Sequence, residues 1–273
     1  LLKQEKKAYL GAKALLSSGT DISNYCQKLV EKNIELPVID NPIDEKIFYV
    51  DVRAGQAMRE KLGLQNKFII LYIGRISPDK GIIYLLKAIP EILKNDPGTN
   101  IQIVIGGAPG SEKDNLINYI KNNHYENYAK FLGYIEDENI CAIYNMADVF
   151  CAPSVVFGGE TTNYLGEGKK RKIKEEYTIS TTPTTAPEAM ACGKPVICTA
   201  VSGSKETVRE NIDGILVPEK NPLAIAEAIL KLKNNPRLKQ KMGEAALESF
   251  QNRYLSTKIF ESLLGYYRKK FNR

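Results

Sequence analysis

Arg75 and Lys80 have residue types and a spacing that could bind a phosphate. They lie in the segment 74–81, Gly-Arg-Ile-Ser-Pro-Asp-Lys-Gly, between an apolar run of strand length and apolar residues at helical spacing. Ser77 could cap that helix and Pro78 could take its first position. Lys80 then falls in the first turn, where the helix dipole disfavours a cation. This placement favours an anion bound by helix amides, Lys80 and Arg75; the alternative is a solvated lysine and an arginine paired with a nearby acid.

Glu188 stands at a second predicted helix start. Thr185 and Glu188 have capping-box spacing, and Pro187 in the first turn removes no helical hydrogen bond. Gly193 then ends the helix before an apolar strand at 195–198. Helix starts beside a strand edge are where open α/β sheets bind ligands. Glu188 therefore either contacts a ligand or only caps its helix.

Strand and helix patterns alternate along most of the chain, which is typical of parallel βαβ units. Strands are predicted at 14–17, 35–39, 68–73, 103–105, 129–132, 149–152, 196–199 and 215–217. Helices are predicted at 21–32, 83–94, 112–122, 137–146, 186–192, 204–210, 221–233, 236–251 and 256–270.

The composition is that of a globular enzyme. The chain has 273 residues, 43% of them hydrophobic and 26% charged, and a net charge of +6, enough for one full core and a little more. No apolar run reaches membrane-spanning length, so we expect a cytoplasmic protein with at most peripheral contact with the inner membrane surface. Five cysteines without metal spacing are expected to be reduced core residues. His124, the single histidine, lies in a polar run and is expected at the surface.

Together these segments resemble the C-terminal half of the retaining glycosyltransferases of family four, which have two Rossmann-like domains. The family pattern is a strand, G-R-x-x-x-x-K-G, a glycine loop for the base, P-S, and E-A-M-A-x-G-x-P-V. This sequence has those pieces in order at 74–81, 131–134, 152–154 and 188–196. The motif continues at 202–206 and 213–218, and the resemblance runs from about residue 10 to the end.

The resemblance implies the GT-B fold, in which a Rossmann-like parallel sheet carries helices on both faces. Residues 1–50 would be a remnant of the N-terminal acceptor domain with the interdomain linker. Residues 51–252 would bind the nucleotide-sugar, with an insertion at 155–184, and 253–273 would form a helix that crosses back to the N-terminal domain. Because most of the first domain is missing, we expect a fragment or one half of a split enzyme.

The resemblance also implies the reaction. A sugar would pass from a nucleotide-diphosphate donor to a sugar or lipid-linked acceptor, with retention of anomeric configuration. The implied donor-binding residues are Gly74, Arg75, Lys80, Gly133, Tyr134, Ile135, Thr184, Thr185 and Glu188. Arg75 and Lys80 would neutralise the diphosphate leaving group, Glu188 would accept from the ribose, and backbone groups at 133–135 would hold the base. No cofactor or metal is expected, because no Asp-x-Asp pair stands in a glycine-rich loop.

The insertion departs from the family pattern. The family places a second catalytic glutamate eight positions before that of E-A-M-A, where this sequence has a serine. Glu160, close after Pro-Ser, is our candidate for binding the donor sugar and, with Glu188, for catalysis. Glu175 and Glu176 are the alternative candidates for the sugar-binding role. The basic run 169–174 is either a solvated loop or part of a mobile flap that closes on a phosphate.

Other function classes find less support. A dehydrogenase would need G-x-G-x-x-G after the first strand, and none is present. A nucleic-acid partner is not expected, because no aromatic-basic platform accompanies the basic run. A non-catalytic nucleotide-sugar-binding half, or a regulatory module of a split enzyme, remains the alternative to a transferase.

Overall fold

The structure is a computed structural model that describes residues 2–31, 34–156, 184–201 and 203–271. Within these residues six strands form one sheet in the order β3-β2-β1-β4-β5-β6, and all neighbouring pairs are parallel. The strands are β1 Phe68–Ile73, β2 Ile101–Gly106, β3 Ala129–Gly133, β4 Val149–Ala152, β5 Val196–Thr199 and β6 Gly214–Val217. The strand order reverses between β1 and β4, and ligands bind outside the carboxyl ends of strands at such a point.

Helices connect the strands and cover the sheet. In the described part of the chain they are α1 Leu2–Gly11, α2 Thr20–Val30, α3 Val52–Leu62, α4 Ile82–Leu86, α5 Ile89–Asn95, α6 Lys113–Asn122, α7 Asp137–Met146, α8 Thr185–Ala191, α9 Ser204–Thr207, α10 Pro222–Lys233, α11 Pro236–Arg253 and α12 Ser256–Phe271. None of these helices combines the length and the apolar character that crossing a bilayer requires.

Two hydrophobic cores lie on opposite faces of the sheet. Alternate residues of β1 enter different cores: Ile70 packs with Leu85 of α4 and Ile229 of α10, and Leu71 packs with Phe150 and Met190. All six residues of β1 are buried, as expected for a central parallel strand that is covered on both faces. The predicted α/β class, with helices on both faces, is confirmed.

Two predicted helices differ from the structure. The helix predicted at 83–94 is two helices, α4 and α5, because Pro90 has no amide proton and its ring would clash with the carbonyl of Leu86. The helix predicted at 204–210 ends at Thr207, because Val208 is extended. The helices α1 and α3 were not predicted, although Asp51 caps the first turn of α3 by accepting from the Ala54 amide.

The strands predicted at 14–17 and 35–39 are not formed. They are reduced to one parallel bridge between Ser17 and Val38. Two short strands without a covering sheet are marginal, and Pro37 has no amide to donate. The C-terminal helix α12 contacts this part of the chain, since the Tyr266 hydroxyl donates to the Leu15 carbonyl at 3.1 Å.

Candidate functional site

The loops that follow β1, β2 and β3 are bonded to one another at the carboxyl edge of the sheet. The Gly74 amide donates to the Gly106 carbonyl at 3.1 Å, and the Gly107 amide donates to the Gly133 carbonyl at 2.8 Å. Gly107 has φ 137°, and a Cβ there would lie 2.0 Å from the Gly74 carbonyl oxygen. Only glycine permits this approach. The structure thus brings Gly74 and Gly133, both predicted site residues, onto one surface.

Arg75 and Lys80 share one acid, Asp79. The Asp79 carboxylate lies 3.1 Å from the Lys80 ammonium and 3.9 Å from the Arg75 guanidinium. The Arg75 side chain is 51% exposed, whereas that of Lys80 is 22% exposed. The arginine is therefore near a local acid, as the alternative predicted, but the lysine is largely covered. The three charges sum to +1, so an anion still finds an attractive potential.

The carboxyl group of Asp79 is ionised at neutral pH. Burial would raise its pKa, but a hydrogen bond from Ser77 and the charges of Lys80 and Arg75 outweigh burial and lower the pKa. The Ser77 hydroxyl donates to this carboxylate at 2.5 Å and does not cap the following turn. The predicted cap is therefore wrong, while Pro78 does begin that turn, the 3₁₀ helix Pro78–Lys80.

The loop after β1 packs directly against the loop after β4. Gly81 has φ 62°, and a Cβ there would lie 2.0 Å from the Pro153 carbonyl oxygen. The Val155 amide donates to the Asp79 carbonyl at 2.9 Å. Ser154 is held from the other side, because its carbonyl accepts from the Thr199 hydroxyl at 2.5 Å. The loops after β1 and β4, between which the strand order reverses, are therefore fixed relative to each other.

Glu188 does not form the predicted capping box. Thr184, rather than Thr185, is the N-cap of α8, and its side chain makes no capping hydrogen bond to the backbone. The Glu188 amide donates to the Thr184 carbonyl at 3.0 Å instead. The carboxylate turns inward, where the Tyr144 hydroxyl donates to it at 2.5 Å. Glu188 is thus bonded to Tyr144 of α7 and does not form a capping box with Thr185.

Burial dominates the electrostatics of Glu188. It raises the pKa of the carboxyl group, and hydrogen bonds from Tyr144 and Thr184 only partly oppose it. Tyr144 is fully buried, and burial together with the charge of Glu188 raises its pKa well above the usual value. A ligand hydroxyl that donated to Glu188 would stabilise its ionised form.

Two buried tyrosines that we did not predict form hydrogen bonds with residues of the site. The Tyr72 hydroxyl donates to the Arg75 carbonyl at 2.8 Å, and Tyr144 binds Glu188. Tyr72 also contributes to the raised pKa of Tyr144. For Tyr72 the signal in the sequence is its place inside an apolar strand, where a buried hydroxyl needs a partner.

The remaining predicted site residues lie at the end of β3, directly after it, or outside the described residues. Tyr134 is 63% exposed, Gly133 has φ 75°, and Ile135 packs against the core of the sheet. Glu160 lies outside the described residues, as do the competing glutamates and the basic run at 169–174.

The residues for which we predicted no role in the site are placed as expected. His124 is exposed and has φ 57°. All five cysteines are free, and Cys141 is the one that is not fully buried.

Comparison with known proteins gives a family match over most of the chain. The family model described as "Glycosyl transferases group 1" matches residues 55–249. Spore coat protein SA of Bacillus subtilis is 27% identical over 223 residues, which are 80% of this chain and 53% of that protein. The chain therefore spans about half the length of this curated relative.

Two solved structures share the fold. Sucrose-phosphate synthase from Thermosynechococcus elongatus has a TM-score of 0.80 and 25% identity, covering 99% of this chain and 61% of that one. HepE from Anabaena, solved in complex with UDP and glucose, has a TM-score of 0.79 and 19% identity, covering 98% and 66%. With its family model matched over 55–249, this chain belongs to the group 1 glycosyl transferases.

Proposed function

We propose that this chain supplies the donor site of a glycosyltransferase that takes a sugar from a nucleoside-diphosphate donor with retention of configuration. The observation that carries the proposal is the pair Arg75 and Lys80, which lie beside Asp79 in the loop after β1, where the strand order reverses. The family membership supports sugar transfer.

In the proposed mechanism, the diphosphate lies against the loop after β1. Arg75 and Lys80 donate charge-assisted hydrogen bonds to it, and their charges stabilise the negative charge that grows as the glycosidic bond breaks. The backbone amides of Thr184 and Thr185 add the partial positive charge of the N-terminus of α8. No metal ion is assigned to this step.

The nucleoside would span the surface between α8 and the loop after β3. Glu188 accepts hydrogen bonds from the ribose hydroxyls, and backbone groups of Gly133, Tyr134 and Ile135 hold the base edge. Tyr144 orients the Glu188 carboxylate for this role, since its hydroxyl binds one oxygen and the other can serve the ligand. Glu160 is our candidate for the sugar.

The acceptor, a sugar or a lipid-linked molecule, would be bound elsewhere. The chain spans about half of the curated relative reported above, and we propose that turnover also needs an N-terminal half that binds the acceptor, in the same chain or as a separate partner. A non-catalytic nucleotide-sugar-binding module is the alternative, and donor binding without turnover in any pairing would favour it.

Calorimetry with UDP, GDP and ADP tests the donor site. We expect one of these nucleotides to bind the isolated chain, while transfer to acceptors stays low. HepE was solved with UDP, which makes the uridine nucleotide the first to try. If none of the three binds, the proposed donor site is wrong.

Binding of two different ligands distinguishes the proposed roles of Glu160 and Glu188. Glu160→Gln should weaken binding of the complete nucleotide-sugar more than binding of the bare diphosphate, whereas Glu188→Gln should weaken both. Equal effects of Glu160→Gln on the two ligands would reject its role and favour Glu175 or Glu176.

A further inference from the structure

A second cationic cleft opens at the amino-terminal edge of the sheet, opposite to the edge described above. It has a volume of about 470 Å³ and lies between α3, the turn before β5 and the start of α11. Its charged lining residues are Arg59, Lys194, Lys239 and Asp148. Among the described residues no other acid lines it, so these side chains carry a net charge of +2 (three cations and one anion).

The single carboxylate is fully engaged by two of the cations. Asp148 accepts from Lys239 at 2.5 Å on one oxygen, and from Arg59 at 2.7 Å and the Ile69 amide at 2.9 Å on the other. Burial would raise the pKa of Asp148, but Lys239, the Ile69 amide and Arg59 outweigh it and lower that pKa. The carboxylate is therefore ionised and saturated.

Lys194 is the cation that this arrangement does not neutralise. Its ammonium donates to the Asn145 carbonyl at 2.8 Å, and no acid among the described residues forms an ion pair with it. Burial lowers the pKa of Lys194; Cys192 and the charge of Asp148 partly oppose this shift, and the charges of Arg59 and Lys239 add to it. Lys194 is partly buried and forms no direct ion pair among the described residues, so an anion beside it would reduce the cost of removing its charge from water.

The C-terminal end of α7 balances only part of the positive charge of the cleft. Lys194 donates to the Asn145 carbonyl and Arg59 to the Met146 carbonyl at 2.7 Å, so both stand at the C-terminal end of α7, where cations are favoured. A helix end carries about half a negative charge. That is too little to balance a charge of +2.

We propose that this cleft binds a compact oxyanion of the phosphate or phosphate-monoester class. Lys194 and Lys239 each use one ammonium donor in the hydrogen bonds described, and an ammonium has three. The exposed Gln56 amide adds neutral donors, whereas the amide of Gln240 already donates to Glu244 at 2.9 Å. The volume falls in the range of small-molecule sites, about 300–1,000 Å³, and so admits more than a bare phosphate ion. This proposal stands independently of the donor site.

Calorimetric titration with inorganic phosphate and with glycerol 3-phosphate, at constant ionic strength, tests the cleft. The parent for the experiment is the double variant Arg75→Ala/Lys80→Ala, so that the other cationic site does not contribute. Lys194→Gln in that background should weaken binding about tenfold, as loss of one charge-assisted contact does. Lys121→Gln, which removes one exposed positive charge on α6, is the matched control and should change nothing.

Gln56→Glu is a second variant that tests the proposal if Lys194→Gln fails to fold. Gln56 is exposed, so the change preserves the fold and places a carboxylate at the cleft. Binding should again weaken about tenfold by charge repulsion. Absence of saturable binding in the double variant, or unchanged binding in either folded cleft variant, would overturn the proposal.

Discussion

The hydroxyl of Tyr144 donates a hydrogen bond of 2.5 Å to the carboxylate of Glu188, across 44 residues of sequence. The bond joins α7 to the first turn of α8 and holds a buried carboxyl group that our sequence analysis assigned to the ribose. Because burial raises the pKa of Glu188 while this bond lowers it, Tyr144 decides how readily Glu188 ionises.

Tyr144→Phe should destabilise the protein at neutral pH. The change removes the donor and leaves the Glu188 carboxylate buried with one partner fewer, which costs about 1–3 kcal/mol. Urea denaturation measures the loss. Tyr134→Phe is the control, since Tyr134 is 63% exposed and its hydroxyl can bond to water. Equal stability of the two variants would show that the bond contributes nothing.

Glu188→Gln should be more stable than the parent at high pH. The pKa of Glu188 is raised in the folded state above the usual 4.5, so the folded protein holds the proton more tightly than the unfolded chain. Stability from this group is therefore present at low pH and lost as pH rises through the raised pKa. Glutamine avoids that loss and retains an acceptor for Tyr144.

Melting of parent and Glu188→Gln at about pH 4 and about pH 8 checks the sign. The advantage of the variant should appear at the higher pH and disappear at the lower one. A variant that is equally destabilised at both values would mean that the ionised carboxylate carries no burial penalty.

Arg75→Ala and Lys80→Ala should each weaken nucleoside-diphosphate binding about tenfold or more. Each removes a charge-assisted contact worth roughly 1.5–3 kcal/mol. Melting should change little, because neither side chain belongs to the two cores. Lys121→Ala serves as the control for lost charge. If both site variants bind the nucleotide as tightly as the control does, the phosphates bind elsewhere.

Asp79→Asn should strengthen diphosphate binding several-fold. The ionised carboxylate shares Arg75 and Lys80 with any phosphate that arrives, and the amide removes that competing charge while keeping an acceptor for Ser77. The gain should shrink at high salt, which screens the exposed part of the interaction. Weaker binding by Asp79→Asn would instead make Asp79 an orienting residue for the two cations.

Gly81→Ala should cost about 2 kcal/mol or more of unfolding free energy. Gly81 has φ 62°, and the new methyl group would lie 2.0 Å from the Pro153 carbonyl oxygen. Gly98→Ala is the matched control, because a Cβ at Gly98 meets nothing within 4 Å. Chemical denaturation compares the two. A loss no larger at Gly81 than at Gly98 would mean that the loops after β1 and β4 separate easily.

The strands of the sheet could be predicted from the sequence because their signal is local. The runs 68–73 and 196–198 are hydrophobic throughout, as a strand that is covered on both faces requires. The break at Pro90 was equally local and was missed only because the apolar spacing continues across it. The strands predicted near Ser17 and Val38 failed because strand pairing depends on covering structure, which no local pattern encodes.

The partners of the site residues were decided by the tertiary structure alone. Thr185 and Glu188 have the spacing of a capping box in the sequence. In the folded chain Glu188 packs against α7 and accepts a hydrogen bond from Tyr144 instead. The cleft at the other edge gathers Arg59, Lys194 and Lys239 from three separate elements around one acid. Hydrogen bonds and charges act over a few ångströms of space, so only the folded chain determines which distant residues they join.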